Sequence, residues 1–257
     1  MTRIGPQPPG IDAVVEAVNS TWALLTSSLD GGWSRTYGRA FAVMTGVAVA
    51  TFNGVFVTDL ETVPEDVEAG LAAVAERELP HCIQLRPDVD PEILRVAARA
   101  GLEPAGAMPL MAVTGPVAAA ATPELVIREL APGESAIHTA IAAPVFGILA
   151  EIFGPIMTAG LARSEATGYV GEVDGEPVST AFSITVGDAV GIFNVATLPD
   201  HRRRGYGAAM TARALGGGLE RGGTWAWLHS SAAGYGVYDA LGFTTLERWQ
   251  LWATPAP

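Results

Sequence analysis

The sequence repeats itself at a constant spacing. Phe52-Asn53 is followed 141 positions later by Phe193-Asn194, and Gly101-Leu102 is followed 141 positions later by the similar pair Gly242-Phe243. Each interval has the pattern of strand, helix, strand, helix and strand. Two copies of one element order at one offset indicate an internal duplication. We therefore expect two tandem domains, residues 1–120 and residues 121–257.

The two halves are separated by small and turn-forming residues between Thr114 and Pro123, which are typical of a linker. In both halves, segments of alternating and of helical periodicity predict one mixed central sheet flanked by helices, an α/β fold of the α+β-layer type. The first half is expected to hold a helical region at 11–29, one or two strands at 42–57, a helix at 64–77, a strand at 82–85, a helix at 90–100 and a strand at 108–113. The second half is expected to hold strands at 124–130, 169–173, 177–186, 189–197, 224–229 and 244–252, with helices within 135–161 and at 205–221 and 234–241.

Composition excludes several classes of protein. The 257 residues are 49% hydrophobic and only 16% charged, which excludes a largely disordered chain. The net charge of −12 disfavours binding to nucleic acid or to an anionic membrane. The single cysteine, Cys82, excludes an internal disulfide and a multi-cysteine zinc site, and the four histidines show no metal-ligand spacing, so no metal is expected.

The sequence also indicates where the protein is located and which kind of genome encodes it. Residues 136–162 are apolar enough to span a bilayer, but Pro144, Gly147 and Pro155 interrupt them, so two short helices are expected there. The first ten residues lack the pattern of a secretory signal, so a cytoplasmic protein is expected. All 15 basic residues are arginine, a codon bias typical of a GC-rich bacterial genome.

The stretch from Asn194 to Met210 is the part of the sequence that indicates chemistry. A strand ends, a turn containing proline follows, and Gly205 and Gly207 open a helix beside three arginines, Arg202, Arg203 and Arg204. Free amides at a helix N-terminus together with arginines favour an anion such as a pyrophosphate. A dinucleotide fingerprint would need a glycine where Met210 stands, and a phosphate-binding P-loop would need lysine after Gly207. A solvated surface turn remains the plain alternative.

This stretch resembles the acyl-CoA-binding motif of the GNAT superfamily of N-acyltransferases, Arg/Gln-x-x-Gly-x-Gly/Ala, here Arg202-x-x-Gly205-x-Gly207. Downstream, Tyr238 to Phe243 is similar to the family's Tyr-x-x-x-Gly-Phe signature. The resemblance covers residues 124–253 and implies the GNAT fold, with acetyl-CoA as co-substrate and an amine as acceptor. It reaches the first half only through the internal repeat.

The resemblance also implies a site. The strand 193–197 would carry a bulge and separate from the strand 224–229, leaving a cleft for the pantetheine arm. Ser231 would lie near the pantetheine, or it would cap the following helix. The expected cofactor-binding residues are Val195, Ala196 and Thr197 along the strand, Arg202, Arg203, Arg204, Gly205, Tyr206, Gly207 and Ala208 at the pyrophosphate, and Ser231.

For catalysis the resemblance implies that Tyr238 is the general acid that protonates the leaving thiolate. A phenol with an ordinary pKa of about 10 would need good placement and no strong pKa shift. Tyr238 would otherwise be a core aromatic, and Tyr235 is a neighbouring rival. No general base can be named: the candidates are Glu172, Asp188, His138 and His229, and an acceptor that arrives partly deprotonated needs none.

The first half lacks the motif. At an offset of 141, Glu61, Pro64 and Asp66 stand where Arg202, Gly205 and Gly207 stand in the second half, and Ala97 replaces Tyr238. An acidic cup whose central residue has no amide opposes a pyrophosphate. We therefore expect a degenerate first copy that keeps the fold without binding the cofactor.

The acceptor is less defined. The helices at 137–161 would form one wall of its pocket through Phe146, Phe153, Ile156 and Met157, which predicts a small-molecule or peptide amine with a hydrophobic body. The same residues would equally suit an interface with the other half or with a second subunit of a homodimer. The predicted function is that of an N-acetyltransferase, and the alternative is a non-catalytic acyl-CoA-binding or regulatory module.

Overall fold

The structure, a computed structural model, describes residues 9–255. Within this range the chain forms two compact units. The N-unit contains Asn19–Leu110 and the residues from Glu247 onward, and the C-unit contains Met111–Leu246 and the residues up to Val18. The predicted boundary between residues 120 and 121 therefore lies inside the C-unit. Each unit also includes a segment from the opposite end of the chain.

The N-unit is a sheet covered by helices. Its strands follow the order β1-β2-β3-β4-β11-β5, where β11 is the last strand of the chain (Thr244–Ala253). Strand β3 runs parallel to β4, and the pairs β1 with β2, β2 with β3 and β4 with β11 are antiparallel. In helix α2 the apolar residues Val67, Leu71 and Val74 recur every three or four positions, so one helix face packs on the sheet. The strands of the first half are β1 (Trp33–Tyr37), β2 (Ala40–Met44), β3 (Asn53–Val57), β4 (Cys82–Leu85) and β5 (Glu103–Thr114), and its helices are α1 (Ile11–Ser27), α2 (Pro64–Ala75) and α3 (Glu92–Arg99).

The C-unit is also a sheet covered by helices, and it contains an additional pair of helices. Its strands follow the order β5-β10-β9-β8-β7-β6, and β9 runs parallel to β10 while β6 to β9 are antiparallel to one another. The turn at Asp174-Gly175 joins β7 to β8, as the sequence predicts. The strands of the second half are β6 (Val126–Glu129), β7 (Ala166–Val173), β8 (Glu176–Val186), β9 (Ala189–Thr197), β10 (Trp225–His229) and β11 (Thr244–Ala253), and its helices are α4 (Ser135–Phe146), α5 (Ala150–Leu161), α6 (Tyr206–Glu220) and α7 (Tyr235–Ala240).

The C-unit sheet is covered on both faces. Ala181 belongs to the buried cluster that includes Met210 and Ala214 of α6. The next residue, Phe182, contacts His138 of α4 with ring centroids 6.3 Å apart. Successive side chains of a strand point to opposite faces, so α6 covers one face and α4 covers the other. This arrangement leaves the end of β9 between the two helix layers.

The mixed α/β fold with a central sheet and flanking helices is confirmed, and along each half of the chain the strands and helices follow the predicted order. One strand lacks a sequence prediction: β1 is a five-residue strand with two exposed residues, too short and too polar to show a buried periodicity. Helices α4 and α5 are separated at Gly147, which adopts φ of 68°. Among residues 9–255, no helix combines the length and the hydropathy needed to cross a membrane.

Candidate active site

A β-bulge interrupts β9 at Asn194 and Val195. The pairing of β8 with β9 shifts by one residue between Thr180–Ala196 and Phe182–Phe193, so two residues of β9 lie opposite one residue of β8. Asn194 takes the left-handed conformation, with φ of 52°, which occurs at the first residue of one class of β-bulge. The bulge expected in the strand 193–197 is therefore present.

Beyond the bulge, β9 and β10 separate. They pair only from Ala189 with Trp225 to Gly191 with Trp227. On its other side β9 stays paired with β8 as far as Thr197 with Ser179. Within the part of the chain that the structure describes, the side of β9 that faces away from β8 has no strand partner at Val195, Ala196 and Thr197. An extended ligand can therefore pair with this backbone as an added strand.

The chain between β9 and α6 presents free amides. After a 3₁₀ turn at Pro199–His201, Arg203 and Gly205 take left-handed conformations with φ of 64° and 85°. Helix α6 begins at Tyr206, and the amide of Ala209 donates to the Gly205 carbonyl. The amides that precede Ala209 in the first turn have no intrahelical acceptor and lie at the positive end of the helix dipole. This geometry suits an anion.

The motif side chains support the turn. The Arg202 guanidinium donates through Nε to the Thr197 carbonyl at 3.1 Å, and Arg204 donates to the Asp200 carbonyl at 3.3 Å. Arg203 is exposed. The Tyr206 side chain is buried and donates its hydroxyl proton to Glu124 at 2.9 Å. Tyr206 can therefore offer a ligand its backbone amide, while its side chain belongs to the core.

A cleft of about 770 Å³ opens beside this turn. One side is formed by the turn and the start of α6, through Arg203, Gly205, Gly207 and Ala208, and another by the small residues of α7 and the loop before it. The linker residues Ala118, Ala119 and Ala120 also line it, which the sequence does not predict. The cleft is thus bordered by the amides at the start of α6, by nearby arginines and by Thr197 at the end of the open strand edge.

Tyr238 and Tyr235 occupy different environments. Tyr235 shares a hydrogen bond of 3.2 Å with the Thr245 hydroxyl. The Tyr238 ring packs on Gly234 and on Phe243, 5.9 Å away between centroids. Its hydroxyl makes no hydrogen bond with any residue that the structure describes. Burial raises the pKa of Tyr238 to about 12, contrary to the expectation of a small pKa shift. Tyr238 does not itself line the cleft, whereas Gly236 and Val237 do.

Ser231 supports the start of α7. Its hydroxyl oxygen accepts the Gly234 amide proton at 3.1 Å, and its carbonyl accepts the amide proton of Tyr235. The side chain is exposed. Ser231 therefore closes the turn that precedes α7, whose N-cap residue is Gly234 and which has no side-chain cap.

The four candidate bases have different partners. Glu172 forms an ion pair with Arg128 at 3.0 Å. Asp188 precedes β9, at the end of the strand away from the bulge, and accepts the Thr224 hydroxyl proton at 3.3 Å. Burial lowers the pKa of His138 and of His229 to about 4, so both imidazoles are neutral at neutral pH.

His138 has a defined tautomer. The Thr180 hydroxyl donates to the Tyr169 carbonyl at 2.8 Å, so it accepts from Nδ1 of His138 at 2.7 Å. Nδ1 therefore carries the proton, and Nε2 bears a lone pair. Nε2 is buried and has no hydrogen-bond partner among residues 9–255. The ring lies between Phe153 and Phe182.

The apolar wall expected for the acceptor is mostly core. Phe153, Ile156 and Met157 are buried within the C-unit. Phe146, at the end of α4, is 43% exposed, and Leu149 beyond the turn is 60% exposed. Only Phe146 among the four predicted residues is therefore available to a ligand or a partner without rearrangement.

Comparison with known proteins agrees with the geometry. Residues 162–252 match the family model for GNAT acetyltransferases. No curated protein matches the sequence. A GCN5-related N-acetyltransferase from Kribbella flavida shares the fold with a TM-score of 0.71 and 23% identity, over 96% of this chain and 97% of that one.

Two further structures share the fold over most of the chain. One is a GCN5-related N-acetyltransferase from Sphaerobacter thermophilus, with a TM-score of 0.62 and 17% identity over 84% of this chain and 76% of that one. The other is a tandem GNAT protein from the clavulanic acid biosynthesis pathway, with a TM-score of 0.56 and 14% identity over 97% of this chain and 98% of that one. The chain thus has the GNAT fold over most of its length, and the residues that hold the bulge and the turn before α6 lie within the part that matches the GNAT acetyltransferase family model.

Proposed function

We propose that the C-unit transfers an acetyl group from acetyl-CoA directly to the primary amine of a small molecule or peptide. One observation carries the proposal: Thr197, at the end of the separated edge of β9, and the left-handed turn before α6 line the same cleft. The cleft has the volume of a site for a large ligand. Free amides beside it suit a diphosphate, and the strand edge suits the amides of a pantetheine arm.

Each part of the site has a separate task in this proposal. The amides from Arg203 to Ala208 hold the diphosphate, and the backbone of Val195 and Thr197 orients the pantetheine arm. Bound acetyl-CoA supplies the thioester whose acyl group is transferred. An amide near the bulge can donate to the acyl carbonyl oxygen as negative charge develops there. Holding the amine and the thioester together provides much of the rate acceleration.

Tyr238 is the proposed proton donor to the leaving sulfur. Because burial raises its pKa to about 12, the phenol stays protonated across the neutral range. Its hydroxyl makes no hydrogen bond with another described residue, so no protein group competes for its proton, and the role requires Tyr238 to reach the cleft that Gly236 and Val237 line. A phenol with a raised pKa is a weaker acid, so we expect it to stabilise the developing thiolate mainly by donating a hydrogen bond.

The proton of the amine leaves without a dedicated base in this proposal. The neutral His138 and His229, with pKa values of about 4, are weak bases. Glu172 is paired with Arg128, and Asp188 lies away from the bulge. Water therefore takes the proton from an acceptor that arrives partly deprotonated, and the rate should rise with pH toward the pKa of that amine.

We propose that the N-unit has no acyl-CoA site. Its strands β3 and β4 stay paired from Gly54 with Cys82 to Val57 with Leu85, so no edge opens between them. Helix α2 begins with Pro64, which has no amide proton, followed by Glu65 and Asp66. A diphosphate would meet two carboxylates there in place of free amides and arginines.

Titration calorimetry with CoA and acetyl-CoA tests the site. The full-length protein should bind both, and Gly205→Glu should abolish binding, because it places a charged side chain in a left-handed turn that faces the anion. A panel of amines then tests turnover, with Tyr238→Phe expected to lower kcat by about 100-fold or more. Binding without turnover of any amine would favour a non-catalytic acyl-CoA-binding module, and absence of binding would exclude both functions.

A further inference from the structure

The segment that joins the two repeats is held by a hydrogen bond at each of its ends. At its start the Gly115 amide donates to the Thr224 carbonyl at 3.1 Å, next to β10. At its end Glu124 accepts the buried hydroxyl of Tyr206, the first residue of α6. Between these points Val117 and Ala119 pack on the hydrophobic core of the C-unit. The linker therefore follows a defined path.

The path brings the linker to the proposed CoA cleft. Ala118, Ala119 and Ala120 line the cleft together with Gly205 and Gly207. Thr122 lies so close that its Cγ2 would be 3.3 Å from a Cβ added to Gly205. Ala118 and Ala120 are exposed, whereas Ala119 is half-buried against the core. The linker thus forms a wall of the cleft within the C-unit.

We propose that residues 118–120 are part of the acyl-CoA-binding surface, so that the linker both joins the repeats and binds the co-substrate. This inference rests on the proposed function. The family match starts at residue 162 and leaves this wall out. Alanine suits the position because a methyl group leaves room for a ligand and brings no charge near a diphosphate. The wall should contact the co-substrate by apolar packing alone.

Charge and bulk on the wall can be tested in the full-length protein. Calorimetry with CoA should show binding weakened by about tenfold or more in Ala118→Glu/Ala120→Glu, because two carboxylates would oppose the diphosphate. The pair Ala118→Gln/Ala120→Gln adds similar volume without charge and should weaken binding less. Ala121→Glu is the matched control: Ala121 is exposed in the same segment but does not line the cleft, so CoA should bind within about twofold of the wild type.

A second measurement does not depend on substitutions in the wall. Elastase, which cuts after small side chains, should cleave the wild type within residues 118–121 more slowly when CoA is present. Gly205→Glu should show no such protection, because it should not bind CoA. If the wild type binds CoA and the double glutamate variant binds it with the same affinity, the proposal for the linker wall is overturned and the proposed function stands. Failure of the wild type to bind CoA would overturn the proposed function as well.

Discussion

Gly205 and Gly207 stand two residues apart in one motif and have different physical reasons to be glycine. Gly205 adopts φ of 85°, and a Cβ there would lie 3.3 Å from Thr122. Gly207 lies in the first turn of α6, and a Cβ there would have no atom within 4 Å. The motif accordingly tolerates alanine at the second position only.

We expect the two alanine substitutions to have opposite effects on stability. Gly205→Ala should lower the free energy of unfolding by about 1–2 kcal/mol, because the left-handed conformation is strained for alanine. Gly207→Ala should raise it by up to about 1 kcal/mol, because alanine favours the helix. Urea unfolding of both variants checks this, and calorimetry should find CoA affinity preserved in Gly207→Ala alone. If both substitutions lowered the free energy of unfolding equally, the left-handed conformation of Gly205 would not be what makes alanine costly there.

His138 should make stability depend on pH. Its pKa is about 4 in the folded protein and about 6.5 in an unfolded chain, so between these values the unfolded state binds a proton that the folded state excludes. Stability is therefore complete above about pH 6.5 and falls as the pH drops toward 4, by about 3 kcal/mol for this group. In urea unfolding at several pH values, His138→Gln should lose less stability over this interval. A slope identical to that of the wild type would refute the assignment, since His229 alone would then account for the dependence.

At the residue scale, sequence could identify the motif but not how each member acts. Arg202, Gly205 and Gly207 are recognisable because their order and spacing are local. The contacts of Tyr206 with Glu124 and of Arg202 with the Thr197 carbonyl depend on the folded path of the chain. The linker wall has no local signature, since a run of alanines is equally typical of an exposed connection.

At the element scale, most strands and helices of both halves were predictable because each carries its own periodicity. The helix predicted at 205–221 continues to Glu220 as α6, although the run Gly216-Gly217-Gly218 within it disfavours a helix, and the sequence does not explain why these residues are glycine. A Cβ at Gly217 would clash with the Tyr169 hydroxyl, and one at Gly218 would lie 2.5 Å from Val190. The glycines permit close packing of α6 on the sheet, which a one-dimensional pattern cannot reveal.

An ion pair holds β11 in the N-unit sheet. Glu247 accepts two charged hydrogen bonds from Arg86, at 2.7 Å from Nη2 and 3.0 Å from Nε, and a third from the Trp249 indole. Arg86 is only 6% exposed. Removing one partner of a buried pair leaves a charge without compensation. The pair therefore matters more to β11 than an exposed pair of the same length would.

Glu247→Ala should lower the free energy of unfolding by about 3–5 kcal/mol. The comparison is Glu61→Ala, which removes the exposed ion pair of Glu61 with Arg39, at 2.8 Å nearly as short as the buried pair, and should cost less than about 1 kcal/mol. Denaturant unfolding of both variants gives the two values. A small loss for Glu247→Ala would mean that water reaches Arg86 once the carboxylate is removed.

At the scale of the whole molecule, the division of the sequence into halves differs from the division of the structure into units. The change from one unit to the other falls inside two strands, between Leu110 and Met111 in β5 and between Leu246 and Glu247 in β11. The repeat predicts two copies of one fold, because periodicity and spacing are properties of each half. It cannot predict which segment completes which sheet, since strand partners are chosen by register and packing across the folded chain.

This division predicts that the N-unit depends on the last strand of the chain. β11 pairs with β4 from Gln250 with Leu85 to Ala253 with Cys82, and the Thr254 amide continues the ladder by donating to the His81 carbonyl. Cys82 is a natural reporter, because it is buried and burial raises the pKa of its thiol to about 12. A chain that ends at Leu246 should leave β4 uncovered and react at Cys82 with a thiol reagent in the absence of denaturant. A chain that ends at Thr254 should resist the reagent as the full-length protein does, and equal protection in both truncations would show that the N-unit closes without β11.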